Sequence, residues 1–120
     1  MPGEIAILTV KFSPESVSQG YSNRYEFTVT VREVNGVGAR LASIKVEDFD
    51  EDGIQLKKDD YAEWGIINTF GTSYIEPFGT LNSRITLECR NCARENWLVR
   101  ADDNKGNHVE GSGWVELIQR

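Results

Sequence analysis

The residues best placed to do chemistry are carboxylates. In the stretch Glu47-Asp48-Phe49-Asp50-Glu51-Asp52-Gly53, three aspartates stand at alternate positions ahead of a glycine, and Asp59 falls at the twelfth place counted from Asp48. A helix–loop–helix calcium loop needs oxygen donors at its first, third and fifth places, glycine at the sixth and a carboxylate at the twelfth. Asp48, Asp50, Asp52 and Asp59 are therefore the candidate calcium ligands. The eighth place is Gln55, where an apolar residue is wanted, and the twelfth is Asp where a longer bidentate Glu is preferred. The preceding Leu41–Val46 reads as a strand, so a helix–loop–helix is excluded. Direct ligation by clustered carboxylates at the end of a β domain is not, and a share in it for Asp102 and Asp103 is conceivable. The competing reading is a solvated acidic turn between two strands.

Cys89-Arg90-Asn91-Cys92 is the second candidate. A redox CxxC sits at a helix N-terminus, where the dipole lowers the thiol pKa, whereas this one follows a strand. As half of a zinc site it lacks partners, because His108 is the sole histidine and there is no second CxxC. A small disulfide or two unpaired thiols remain, and the sequence leaves that choice open. His108 lies in a glycine-rich stretch and reads as a surface histidine rather than a general base. No nucleophile elbow, phosphate-cradling glycine loop or histidine-based metal motif is present. Acidic residues are too plentiful for any pair, such as Glu47 with Asp50, to mark a glycosidase. The expectation is no enzyme.

The elements that must position these residues follow from the rest of the chain. Its 120 residues, 39% hydrophobic and 27% charged, suffice for one core without metals or multiple disulfides, so residues 1–120 read as a single domain. The net charge of −6, with scattered Lys and Arg, offers no row of cations for phosphates. Nucleic acid is not expected as a partner, and no apolar run approaches the roughly 20 residues of a membrane span. The start lacks the pattern of a signal peptide and runs abruptly into a strand, which reads as a unit excised from a longer chain.

Strand patterns run almost throughout. Tyr25, Phe27, Val29 and Val31 alternate with Glu26, Thr28 and Thr30, the period of a half-buried strand. Ile5–Phe12 reads as the first strand, stopped by Pro14. Asn35-Gly36 reads as a turn joining the Tyr25–Val31 strand in a hairpin to one with Ala42, Ile44 and Val46 inward. Ile85, Leu87 and Cys89 alternate, as do Trp97, Val99 and Ala101. Asp102–Gly113 is a cluster of turn formers, its glycines serving turns or bulges, before a last strand Trp114–Ile118. Residues 59–81 are least legible: a helical turn or short strand near Trp64, then at least one edge strand. About seven short strands and no convincing amphipathic helix give an all-β antiparallel sandwich.

The stretches "RYEFTVTVREVNGVGARLASIKV", "IEPFGTL" and "WLVRADDNKGN" together resemble the bacterial immunoglobulin-like or fibronectin-III-like modules of surface and secreted proteins. The resemblance covers most of the chain, with Asp102, Asp103, Asn104, Gly106 and Asn107 matching the turn between the last two strands. It implies an immunoglobulin-like fold of about seven strands and an extracellular or cell-surface setting. It also implies a non-catalytic role as spacer or protein-interaction domain, with a protein partner or neighbouring domains. The alternatives are a calcium-stabilised adhesion domain or a carbohydrate-binding module. The latter requires Trp64, Tyr74 and Trp114 to share one exposed face.

Overall fold

The computed structural model describes residues 3–119. Among these, nine strands build two facing sheets, accompanied by one α-helix and a short 3-10 turn at Tyr21–Asn23. The smaller sheet has the order β1 (Leu8–Ser13), β3 (Arg24–Glu33), β7 (Thr80–Glu88). The larger runs β2 (Ser16–Ser18), β9 (His108–Ile118), β8 (Arg94–Asp103), β4 (Ala39–Phe49), β5 (Gln55–Tyr61), with β6 (Tyr74–Ile75) also on β4. Pairing is antiparallel except for β2, which runs parallel to β9. The period-2 pattern predicts the core: Tyr25, Phe27, Val29 and Val31 are fully buried, as is Val99, while Trp97 and Ala101 are nearly so. Phe12 meets Phe27 edge-on within its own sheet and Trp97 edge-on across the sandwich.

Three sequence expectations change. β3 and β4 lie in different sheets, so Asn35-Gly36 is a crossover and not a hairpin turn. The crossover is held by Glu33, whose buried carboxylate accepts hydrogen bonds from the N–H groups of Ile7, Asn35, Gly36, Val37 and Phe78 at 2.7–3.1 Å. Ala42 is exposed, because a register shift between Leu41 and Ser43 puts Leu41 inside with Ile44 and Val46. The last strand begins at His108, so Gly111 and Gly113 lie within it rather than in a turn.

Those two glycines explain the closed side of the sandwich. They occupy inward positions of β9, and a Cβ on Gly111 would lie 2.4 Å from the carbonyl oxygen of Leu8, one on Gly113 2.3 Å from that of Val10. Without side chains, β9 lets the β1 backbone press directly against it. The opposite side, between β5 and β7, stays open. Helix α1 (Glu63–Phe70) plugs part of it with Ile66, its only fully buried residue.

The domain is a rod of 47 × 24 × 22 Å. At the amino-terminal pole, Ala6 N–H is bound by Asp103 in the β8–β9 turn. At the other, the disulfide pole, lie the β4–β5 turn, the Cys89–Cys92 disulfide and Ile118, whose carbonyl accepts the Gln19 N–H.

Candidate functional site

The β4–β5 turn answers the question posed by its aspartates. Asp50 Oδ1 accepts the N–H groups of Asp52 and Ile54, both at 2.9 Å, and the Asp50 carbonyl accepts the Gly53 N–H. Gly53 takes φ +80°, the left-handed conformation this bulged three-residue turn requires. The β8–β9 turn repeats the pattern. Asp103 Oδ1 accepts from Lys105 and Asn107, the Asp103 carbonyl accepts from Gly106, and Gly106 has φ +85°. Asp-x-x-Gly-x is thus a turn device used twice. The spacing that resembles a calcium loop arises because the turn itself needs Asp and Gly three apart.

The four candidate ligands do not converge. Asp50 serves the turn, Asp52 is exposed, Asp59 pairs with Lys57 at 3.6 Å on β5, and Asp48 points into the domain. Asp102 and Asp103 belong to the opposite pole: on the β4 ladder their partners are Arg40 and Ala39, while Asp48 faces Glu95. Eight residues of strand from Arg40 to Asp48 correspond to roughly 26 Å.

Asp48 and Glu95 form an unexpected centre instead. Each is 2% exposed, and the two close the core at the disulfide pole. Burial, then the hydrogen bond and the charge of Asp48, push Glu95 up to about 9 from its ordinary 4.5, against the opposing Trp97 bond and Lys57 charge. Trp97 Nε1–H donates to Glu95 Oε1 at 2.6 Å. No N–H or hydroxyl of the described residues reaches the buried Asp48 Oδ1. The pair lines a cleft of about 560 Å³ on the open side, with Ile44, Val46, Leu87 and Trp97 as apolar wall and Lys57 and Asp59 at the rim.

The disulfide packs on the same centre. The sulfurs of Cys89 and Cys92 and a carboxylate oxygen of Asp48 all lie within 4.8 Å of one another. The cysteine pair left open by the sequence is thus a disulfide beside a buried acid.

The buried acids at the two poles contrast. Asp103 is also buried, a circumstance that by itself raises its pKa, yet bonds from Ala6, Asn107 (backbone and side chain) and Lys105 outweigh this and hold it at about 2. Glu33 is lowered likewise, its backbone bonds overcoming burial. Sequence reading missed all four acids as inward residues, but a signal existed. Each extends an apolar alternation by one step: Glu33 after Val31, Asp48 after Val46, Glu95 before Trp97, Asp103 after Ala101.

His108 is exposed and pairs with Asp102, Nδ1 to Oδ1 at 2.5 Å. The aromatics form no common row. Trp64 is 78% exposed on α1, and Trp114 is half-exposed on β9, tilted against Phe49. Tyr74 is half-buried, and its hydroxyl accepts from Asn104 at 2.8 Å. Tyr74 sits opposite Arg40 whereas Trp114 faces Asn96, itself opposite Glu47, so the two are seven residues apart along β4, roughly 23 Å.

No family model matches the chain, and no curated protein does. Among solved structures, murine CRIg superposes with a TM-score of 0.56 at 18% identity over 95% of this chain and 98% of that one. Northeast Structural Genomics Consortium target SoR45 gives 0.53 at 16% over 92% and 86%. The fold is an immunoglobulin-like β-sandwich.

Proposed function

We propose that the chain is a non-catalytic immunoglobulin-like module, a spacer or protein-interaction unit of a bacterial surface or secreted protein. The observation that carries this reading is the polarity of the rod. The chain comes in at one pole, where Ala6 is tied to Asp103, and leaves at the other, where Ile118 is tied to Gln19. Units of that polarity in series set their neighbours about one rod length apart, 47 Å here. The Cys89–Cys92 disulfide supports an oxidising, extracellular or cell-surface setting.

The test is protease shaving of intact source cells, read with an antibody against this chain. Loss of the epitope before lysis, or its recovery in the culture medium, supports the reading. An epitope protected until lysis and absent from the medium overturns it.

A further inference from the structure

We propose that Cys89, Cys92 and Asp48 form a redox-gated site for a thiophilic divalent cation of the zinc class, closed by the disulfide and opened by its reduction. This is independent of the module reading, since it concerns the chemistry of one pole.

Three observations converge on it. The first is proximity: both sulfurs and an Asp48 oxygen lie within 4.8 Å of one another. Zinc holds sulfur at about 2.3 Å and carboxylate oxygen at about 2.1 Å, which puts neighbouring tetrahedral ligand atoms roughly 3.5–3.8 Å apart. Once the S–S bond is broken the two sulfurs part to that spacing, and the Asp48 oxygen closes by at most about 1 Å. The second is the buried Asp48 Oδ1, which no donor among the described residues reaches and which a cation would satisfy.

The third observation is that the loop carrying the cysteines is held by more than its disulfide. Cys89 N–H donates to Asn23 O, Ala93 N–H to Phe49 O, and Leu117 N–H to Ala93 O, while Gln119 Nε2 donates to Cys92 O. Asn91 takes φ +71° to turn the chain between the two cysteines. With the S–S bond gone, these bonds keep both sulfurs facing Asp48. A histidine-free zinc site built on two thiolates and a carboxylate has the donor softness that separates zinc from calcium or magnesium.

The chemistry balances with an external dithiol. It transfers two electrons to the S–S bond, which breaks, and two protons, which complete the two thiols, while the dithiol becomes its own disulfide. The cation then displaces both thiol protons into solvent and forms two metal–sulfur bonds and one to the Asp48 carboxylate. A water takes the fourth position.

The experiment compares the full chain in its oxidised form with the chain reduced by a dithiol and desalted without oxygen. Each is titrated with cobalt(II) and then zinc(II). The expected result for the reduced chain is one equivalent of cobalt bound with thiolate charge-transfer absorption, displaced by zinc, and a zinc-dependent rise in melting temperature. The oxidised chain should show neither. Asp48→Asn should weaken cobalt binding by tenfold or more and alter its visible bands, because one ligand is exchanged while the thiolates remain. Cys92→Ser, which leaves Asp48 in place, should abolish the two-thiolate spectrum. The proposal is overturned if the reduced chain gives no thiolate band, if oxidised and reduced chains respond to zinc alike, or if Asp48→Asn binds cobalt with unchanged affinity and spectrum.

Discussion

Replacing Gly113 by alanine tests how the sandwich is closed. The added Cβ would sit 2.3 Å from the carbonyl oxygen of Val10 and 3.1 Å from a ring carbon of Phe12. An ordinary contact is about 3.5 Å, so β1 must move back by roughly 1 Å. The atom in the way is backbone, and β1 is paired to β3 along its whole length, from Leu8 opposite Glu33 to Ser13 opposite Thr28. No side chain can rotate to relieve the clash, which places the cost at the upper end of overpacking, about 3 kcal/mol. For a domain of this size that corresponds to a fall in melting temperature of about 12 °C. Gly53→Ala is the control: nothing lies within 4 Å of its Cβ, and only the left-handed φ of +80° penalises it, about 1 kcal/mol or 4 °C. Thermal unfolding by circular dichroism reads both. If Gly113→Ala melts within 3 °C of the parent, or costs no more than Gly53→Ala, the direct packing of β1 on β9 is refuted.

Glu95 gains a proton preference on folding, so the unfolded chain releases that proton first and stability declines as pH rises from about 4.5 toward 9, by at most about 1.4 kcal/mol per pH unit. Glu95→Gln in the oxidised chain should flatten that decline, as followed by urea unfolding between pH 5 and 8; an unchanged slope would exonerate Glu95. At the other extreme, Asp103 and Glu33 are lowered by folding, so their contribution is complete above about pH 5 and drains away as pH falls, that of Asp103 down through about pH 2. Glu33→Gln keeps the shape but turns an amide toward N–H donors, and should cost about 2–3 kcal/mol, seen as a melting drop of about 10 °C at neutral pH. Calcium at millimolar concentration against excess chelator should give superimposable melts in the oxidised chain, because Asp48, Asp50, Asp52 and Asp59 face different ways; a rise of several degrees, lost in Asp52→Ala, would restore the calcium reading.

Alternation carried the sheets: the Tyr25–Val31 and Trp97–Ala101 patterns predict which side chains form the core, because a strand buried on one face must repeat every two residues. What it could not convey is which sheet a strand joins. Asn35-Gly36 is as good a hairpin signal as a crossover, and the deciding feature, five backbone donors gathered on Glu33, is spread over residues 7 to 78. Helix α1 was ambiguous for a related reason. It is eight residues long and buries Ile66 alone, too little apolar surface to show a helical period. The glycines of β9 read as turn formers because their partner, the β1 backbone, is about a hundred residues away in sequence.

The four inward acids argue for a division of labour between the poles. A buried carboxylate is costly unless something answers its charge. At the amino-terminal pole the answer is complete: Glu33 takes five backbone N–H groups and Asp103 takes three with a side-chain amide, fastening the first strand to the two loops it crosses. At the disulfide pole it is a retained proton and one indole N–H shared over two carboxyl groups. If Asp48 and Glu95 served only to fasten the fold, the backbone donors that loops supply so freely at the other pole would be expected around them. Their absence among the described residues, together with two sulfurs at hand, is what sets this pole apart as a site rather than a clamp. Asp48→Asn separates the two roles. It should leave the oxidised chain's melting temperature within a few degrees of the parent, since Asn still accepts from Glu95, whereas a clamp residue treated alike at Asp103 should lose far more.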